Sequence, residues 1–150
     1  MTSTSKKVSF ATIQVGDQLP PFEIDETQET IDGARNPDRL VDSPPKNIHN
    51  DPDFARQGLF AGTVNAGVTT MAYVTQMLEQ WFSPESFYNG GSLTYKGVGP
   101  FRPGDVVVFT GSVTGKRTEN GTNYVDLEIK GVDKTGRLVG VAEATVAPDA

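Results

Sequence analysis

One histidine is present in 150 residues, His49. It lies in Asn47-Ile48-His49-Asn50-Asp51-Pro52-Asp53-Phe54-Ala55. Imidazole is the side-chain type whose unperturbed titration falls near neutral pH, so a lone histidine is the first candidate for proton transfer. Behind it, no charge falls between Arg56 and Glu79, and Gln57 to Leu78 is a neutral run of apolar residues, glycines and threonines. A proton-transfer group beside the start of a buried helix suits general acid/base chemistry at the rim of an apolar site. The bland reading keeps His49 as a structural histidine bracing the turn. No metal set is legible, with one His, no Cys and no carboxylates at ligand spacing. Phosphate-loop and serine-nucleophile motifs are equally absent from the sequence. No cofactor is expected.

The elements that would position His49 follow from local signals. Asp51 reads as an N-cap, Pro52 as the first helical residue and Asp53 as a first-turn acid, which predicts a short helix over 52–57. Asp51 is thus better explained as a cap than as a catalytic acid. Gly62 breaks that helix. A second one is predicted from Asn65 to Phe82, ended by Ser83-Pro84. Val68, Met71, Ala72, Thr75, Leu78 and Phe82 share a face at three- and four-residue spacing, and Val64, Val74, Met77 and Trp81 fill others. A helix apolar on most sides is a central one, with Tyr73 and Trp81 read as core.

Upstream, residues 1–7 read as a loose tail, Val8 to Ile13 as a short strand and Phe22 to Asp25 as a half-buried strand. Thr27 to Ala34 has room for a helical turn, and Asn36-Pro37 with Ser43-Pro44-Pro45 makes an irregular loop. Downstream the chain is strand-rich. Ser92–Tyr95, Val106–Thr110, Tyr124–Lys130 and Leu138–Val146 are predicted strands, and Asn120-Gly121 is the strongest hairpin signal. One long buried helix against an antiparallel sheet is an α+β architecture, in a single domain over 1–150.

Composition narrows the partners. The net charge of −6 argues against general nucleic-acid binding, which needs clustered Lys and Arg. The neutral run carries Gly58, Gly62, Asn65, Gly67 and Gln76, so it reads as a buried helix and not a membrane span. The polar start lacks an apolar signal core and there is no cysteine, which fits a cytoplasmic, reducing location.

The order of early strand, histidine loop, short helix, buried helix and strand meander resembles the hot-dog fold. Within it, the chain resembles the MaoC-like or (R)-specific enoyl-CoA hydratase family. That family's loop reads Asp-x-Asn-Pro-x-His-x-Asp, then a Phe-Ala pair, a Gly-rich segment and a His-Gly-Met helix start. Here Asn47-Ile48-His49-Asn50-Asp51 and Phe54-Ala55 carry the first part, and Phe60-Ala61-Gly62 with Ala66-Gly67-Val68 the second. Gly91 to Lys96 and Phe101-Arg102-Pro103-Gly104-Asp105 match the following strand and turn.

The resemblance implies a sheet curled around the helix. It also implies a hydratase or dehydratase acting on an α,β-unsaturated or 3-hydroxy acyl thioester of CoA or a carrier protein. It assigns His49 as general acid/base with a carboxylate partner, the backbone at Gly67 to the developing oxyanion, and Asn47, Asn65 and Phe60 to the substrate. Assembly into a homodimer or higher even oligomer, or a heteromer, is expected, because one such layer leaves strand edges open. There are departures. The family's Asp lies five residues before its His, and that position here is Pro44. The nearest upstream acid is Asp42, seven residues before His49. Either a longer loop returns Asp42 to the same place, or Asp42 is a solvated acid and the chain is a weakly catalytic subunit paired with a competent partner. Gly67 admits two readings as well, close approach of a thioester or close helix–sheet packing. Lys96, Arg102, Lys116 and Arg117 are surface charges unless they gather at a mouth for CoA phosphates. Thioester hydrolysis is the remaining alternative. It often relies on a helix carboxylate, and the neutral run supplies none.

Overall fold

A computed structural model describes residues 7–34 and 45–150. The elements in chain order are β1 (Phe22–Asp25), α1 (Gln28–Ala34), α2 (Pro52–Arg56), α3 (Gly67–Glu79), α4 (Glu85–Tyr88), β2 (Ser92–Gly97), β3 (Val106–Glu119), β4 (Thr122–Asp133) and β5 (Leu138–Val146). The strands form one antiparallel sheet in the order β1-β3-β4-β5-β2. Its inner face closes on α3, the curled hot-dog arrangement expected from the sequence.

The strands alternate because each has one face in the core. Val107, Phe109 and Val113 of β3, Val125, Leu127 and Ile129 of β4, and Ala142, Ala144 and Val146 of β5 are buried with Val74, Met77 and Leu78 of α3. Each large aliphatic side chain taken out of water there contributes about 1.5–3 kcal/mol. The hairpin between β3 and β4 turns at Asn120 (φ 50°) and Gly121 (φ 79°). Both residues are left-handed, as a two-residue turn matched to strand twist requires. Within β4, Gly131 leaves room for the Phe109 ring, against which a Cβ would come within 2.6 Å. Asp133 closes the next turn by accepting from Thr135 and from the backbone and guanidinium of Arg137. The Thr135 hydroxyl, followed by the Arg137 N–H, holds the Asp133 carboxyl down at about 2.

Four expectations change. Val8 to Ile13 forms turns and not a strand. Lys7 is tied to the end of α3, since its ammonium donates to the Glu79 carbonyl and the Val8 N–H to that of Trp81 at 2.8 Å. The central helix is shorter than predicted, and its inward face is Thr70, Val74, Met77 and Leu78. Val68 is 77% exposed and Met71 37%. An all-round apolar helix leaves its phase undetermined, and the sheet covers one side of it. Tyr73 and Trp81 pack against the core. A short helix, α4, follows Pro84 where a plain stop was expected. No helix among the described residues is long and apolar enough to cross a membrane.

Candidate active site

The turn carrying His49 is built by short polar side chains. Asn47 Oδ1 accepts from the N–H groups of His49 (2.8 Å) and Asn50 (3.2 Å). Asn50 Oδ1 accepts from the Asn47 N–H at 2.9 Å. Such reciprocal bonds define an Asx turn. Asn47, assigned to substrate by resemblance, builds this turn and is not among the cleft-lining residues. Asp51 caps α2, accepting from the Phe54 N–H at 2.8 Å, which is the main reason its carboxyl is held below the usual range. The capping reading of Asp51 is therefore the observed one.

The turn is docked onto the strand-like approach to α3. The Val64 N–H donates to the Ile48 carbonyl at 3.1 Å, and His49 Nδ1 lies 2.7 Å from the Val64 carbonyl. A carbonyl can only accept, so Nδ1 carries the hydrogen, and in the neutral ring Nε2 is left with a free lone pair. That is the tautomer a general base needs. A second clamp comes from α1, where Gln28 Nε2 donates to the His49 carbonyl (2.8 Å) and Gln28 Oε1 accepts from the Thr63 hydroxyl (2.7 Å). One side chain thus joins the chain bearing His49 to the chain entering α3.

His49 lines a cleft of about 390 Å³, together with Phe60, Asn65, Gly67, Thr70 and Tyr95. Its other walls include Ile48, Val64, Val98 and Phe101. The sequence-predicted residues His49, Phe60, Asn65 and Gly67 are therefore brought together. Asp42 and Pro44 lie outside the described residues.

Gly67 opens α3, two residues after the helix start predicted at Asn65. Nothing lies within 4 Å of where its Cβ would be. Close helix–sheet packing thus does not require glycine there, whereas an approaching ligand would use the space. Ala66 supplies no side-chain cap, and the Gly67 and Val68 N–H groups have no acceptor among the described residues. Unsatisfied amides at a helix start carry roughly half a positive charge, the arrangement that stabilises a developing oxyanion.

Sequence reasoning missed Glu26, Gln28, Thr70 and Tyr95. Tyr95 reaches across Gly140, where a Cβ would overlap its hydroxyl. Burial pushes that hydroxyl up from its ordinary value, with Thr70 beside it acting the other way. Glu26 is fully buried and accepts from Thr30, from Asn65 at 2.6 Å and from Tyr73 at 3.2 Å. Desolvation pushes its carboxyl up, and the three side-chain donors act against that shift. Burial, with the Glu26 charge behind it, raises the Tyr73 hydroxyl to about 12, so Tyr73 stays a donor. The strand alternation held the signal for Glu26. Phe22 and Ile24 face inward, and the same phase turns residue 26 inward.

Three of the four candidate cations are engaged elsewhere. Arg102 donates to the carbonyl of cleft-lining Phe60 at 2.7 Å, whereas Lys116 is bound to the Phe10 and Ile13 carbonyls and Arg117 pairs with Asp126 and Glu119. No cluster among the described residues could hold a metal.

Comparisons with known proteins bear on the family and the fold. A family model described as MaoC like domain matches residues 39–133. A search of the curated proteins found no match. Among solved structures, an R-hydratase from Pseudomonas aeruginosa in unliganded form is similar with a TM-score of 0.73 and 18% identity, covering 96% of this chain and 88% of that one. A MaoC-like dehydratase from Rhodospirillum rubrum gives 0.73 and 20%, covering 95% and 97%. The ChsH1–ChsH2 complex from Mycobacterium tuberculosis gives 0.69 and 21%, covering 91% and 98%. At these identities the structural likeness speaks to the fold.

Proposed function

The chain belongs to the MaoC-like domain family, and from that premise we propose that it is a hydro-lyase acting on an α,β-unsaturated or 3-hydroxy acyl thioester. The observation that carries this reading is the His49 ring, whose Nδ1 is committed to the Val64 carbonyl in a cleft that also holds the uncapped start of α3. In hydration, Nε2 takes a proton from water, the water oxygen bonds to C3, and the electron pair of the C2–C3 double bond shifts toward the thioester oxygen. The amides at Gly67 and Val68 favour charge on that oxygen. C2 then receives the proton that Nε2 took from water, which restores the carbonyl and returns His49 to its neutral form. Ile48, Phe60, Val64 and Phe101 offer apolar surface to the acyl chain.

We further propose Asp42, the nearest acid upstream of His49 in the sequence, as its carboxylate partner. The test is hydration of crotonyl-CoA and a bulkier enoyl-CoA by the purified chain, with Asp42→Asn beside it. Wild type should turn over and Asp42→Asn should lose about 10²–10⁴-fold, the usual weight of a proton-transfer group. Turnover by wild type with an unaffected Asp42→Asn removes Asp42 alone. No turnover on either substrate favours the second reading, a MaoC-like subunit that needs a competent partner. Pro44 at the family's Asp position supports that alternative, as does a structural relative that is a complex of two proteins.

In either case we place the chain in a homodimer or a higher even oligomer, or in a heteromer. The exposed apolar residues Leu59, Val68, Met71 and Val98 lie on or beside the segments that wall the cleft. Light scattering at micromolar concentration should give an even multiple of 16.1 kDa. A monomeric mass would exclude self-association and direct attention to a different partner chain.

A further inference from the structure

We propose that Glu26 is a positioning residue, whose carboxylate orients the Asn65 carboxamide so that Oδ1 serves as an acceptor for the hydroxyl at C3 of the ligand or for the water that becomes it. This rests on the hydro-lyase reading above.

Glu26 is divided cleanly between two sets of donors. Oε1 takes the hydroxyls of Thr30 and Tyr73, and Oε2 takes Asn65 Nδ2 at 2.6 Å. These three side chains and the Thr27 backbone N–H are all donors, and no Lys, Arg or His among the described residues pairs with the carboxylate. A buried carboxylate without a cation is unfavourable on stability grounds. Tyr73 is itself braced edge-on against Phe101, with ring centroids 6.2 Å apart. The Phe101 carbonyl accepts the Asn65 N–H at 2.7 Å. Asn65 is thereby held at its backbone and at one end of its amide.

The other end is unpartnered. Asn65 lines the cleft and is 8% exposed, and its Oδ1 is buried without a hydrogen-bond partner. Which end of an amide faces which neighbour is settled by the network around it. An acceptor carboxylate requires Nδ2 on the Glu26 side, so Oδ1 is the end turned away from it. Buried acceptors are nearly always satisfied, and an orphan at a cleft wall marks a place where a ligand donates. The donor this cleft would offer, under the hydro-lyase reading, is an O–H beside His49. Asn65 would then hold the oxygen whose proton His49 exchanges, a role open to it because its amide carries no charge and needs no proton of its own.

The polarity argument makes a charge-swap test possible. In Glu26→Gln, the retained oxygen still accepts from Thr30 and Tyr73, and the new amide nitrogen faces Asn65. The Asn65 amide must then turn over, presenting N–H to the cleft. Turnover should fall about 10–100-fold, the weight of one misplaced hydrogen bond at a reacting atom, with KM changed far less. Asn65→Asp alone sets two carboxylates against each other and should also be impaired. In the double variant Glu26→Gln/Asn65→Asp, the new amide nitrogen donates to the new carboxylate, whose second oxygen is again an acceptor. Its turnover should recover to within about tenfold of wild type. A merely structural Glu26 would show its loss and its rescue in the melting midpoint, with turnover per folded molecule unchanged throughout.

Thermal melting of each variant separates misfolding from lost turnover. Wild-type protein supplies an arm that needs no variant to fold. The Asn65 side-chain Cγ and amide resonances should shift with 3-hydroxybutyryl-CoA and move much less with butyryl-CoA, which lacks the hydroxyl. Near-normal turnover by Glu26→Gln, a double variant no better than the singles, or equal shifts with both ligands would overturn the proposal. An active wild type with those outcomes leaves the hydro-lyase reading standing. A wild type that neither binds nor hydrates any acyl-CoA removes both.

Discussion

His49→Ala should lower enoyl-CoA hydration by about 10²–10⁴-fold with the fold retained. Both halves of that expectation come from the same hydrogen bonds. The ring is the only part of the residue lost. Its backbone N–H remains bound to Asn47 Oδ1, and its carbonyl still accepts from Gln28. The Val64 carbonyl loses the Nδ1 donor, at a stability cost of about 1 kcal/mol, but the neighbouring Val64 N–H to Ile48 carbonyl bond persists. Circular dichroism melting and a hydration assay on one preparation read the two effects separately. A variant with a lowered midpoint and unchanged specific activity would make His49 a structural histidine.

The largest effect on stability is expected from Phe109→Ala. Phe109 is fully buried and pairs across the sheet with Phe22 on one side and Gly131 on the other. Its ring occupies the space that a side chain at 131 would fill, and Gly131 has no side chain to close the gap left by truncation. Truncation of a buried Phe costs about 3–5 kcal/mol, against a total of about 5–15 kcal/mol for a domain. The melting midpoint should fall by roughly 6–20 °C, at about 2–4 °C per kcal/mol. A drop below about 3 °C would mean that the strands collapse onto the gap. Because Phe109 holds the start of β1, this variant should also loosen the strand that leads into Glu26.

What could be read from sequence divides along physical lines. Signals confined to a few residues were legible: the Asp51-Pro52 helix start, the Asn120-Gly121 turn and the alternation in β1 and β4 all depend on backbone geometry and local capping. The phase of α3 was not, because apolar residues on every side give the period no direction, and only the sheet's position decides that Val74 is buried and Val68 is not. In the site, His49, Phe60, Asn65 and Gly67 could be picked out by residue type and motif. Glu26 could not be picked out by type, since an acid after a short strand ordinarily faces solvent. Its burial comes from Tyr73 and Asn65, 47 and 39 residues away along the chain. Asn47 was assigned a ligand by motif, and its Oδ1 also builds the turn by accepting from the His49 and Asn50 N–H groups, a local use the motif does not reveal.

The β3–β4 hairpin has a consequence for the order in which the molecule assembles. Its strands run from Val107↔Asp133 down to Glu119↔Thr122 around a turn whose two central residues are predisposed to it. Contacts made at short sequence separation close cheaply and early, whereas β1 must find β3 across more than eighty intervening residues. The hairpin is therefore a natural nucleus, and the half of the chain bearing His49, Asn65 and Glu26 condenses onto it afterwards. Changes near Asn120-Gly121 accordingly act on the rate of folding, and changes around the cleft act on the rate of unfolding. The segment that walls the cleft is free to vary without obstructing the step that commits the chain to its fold.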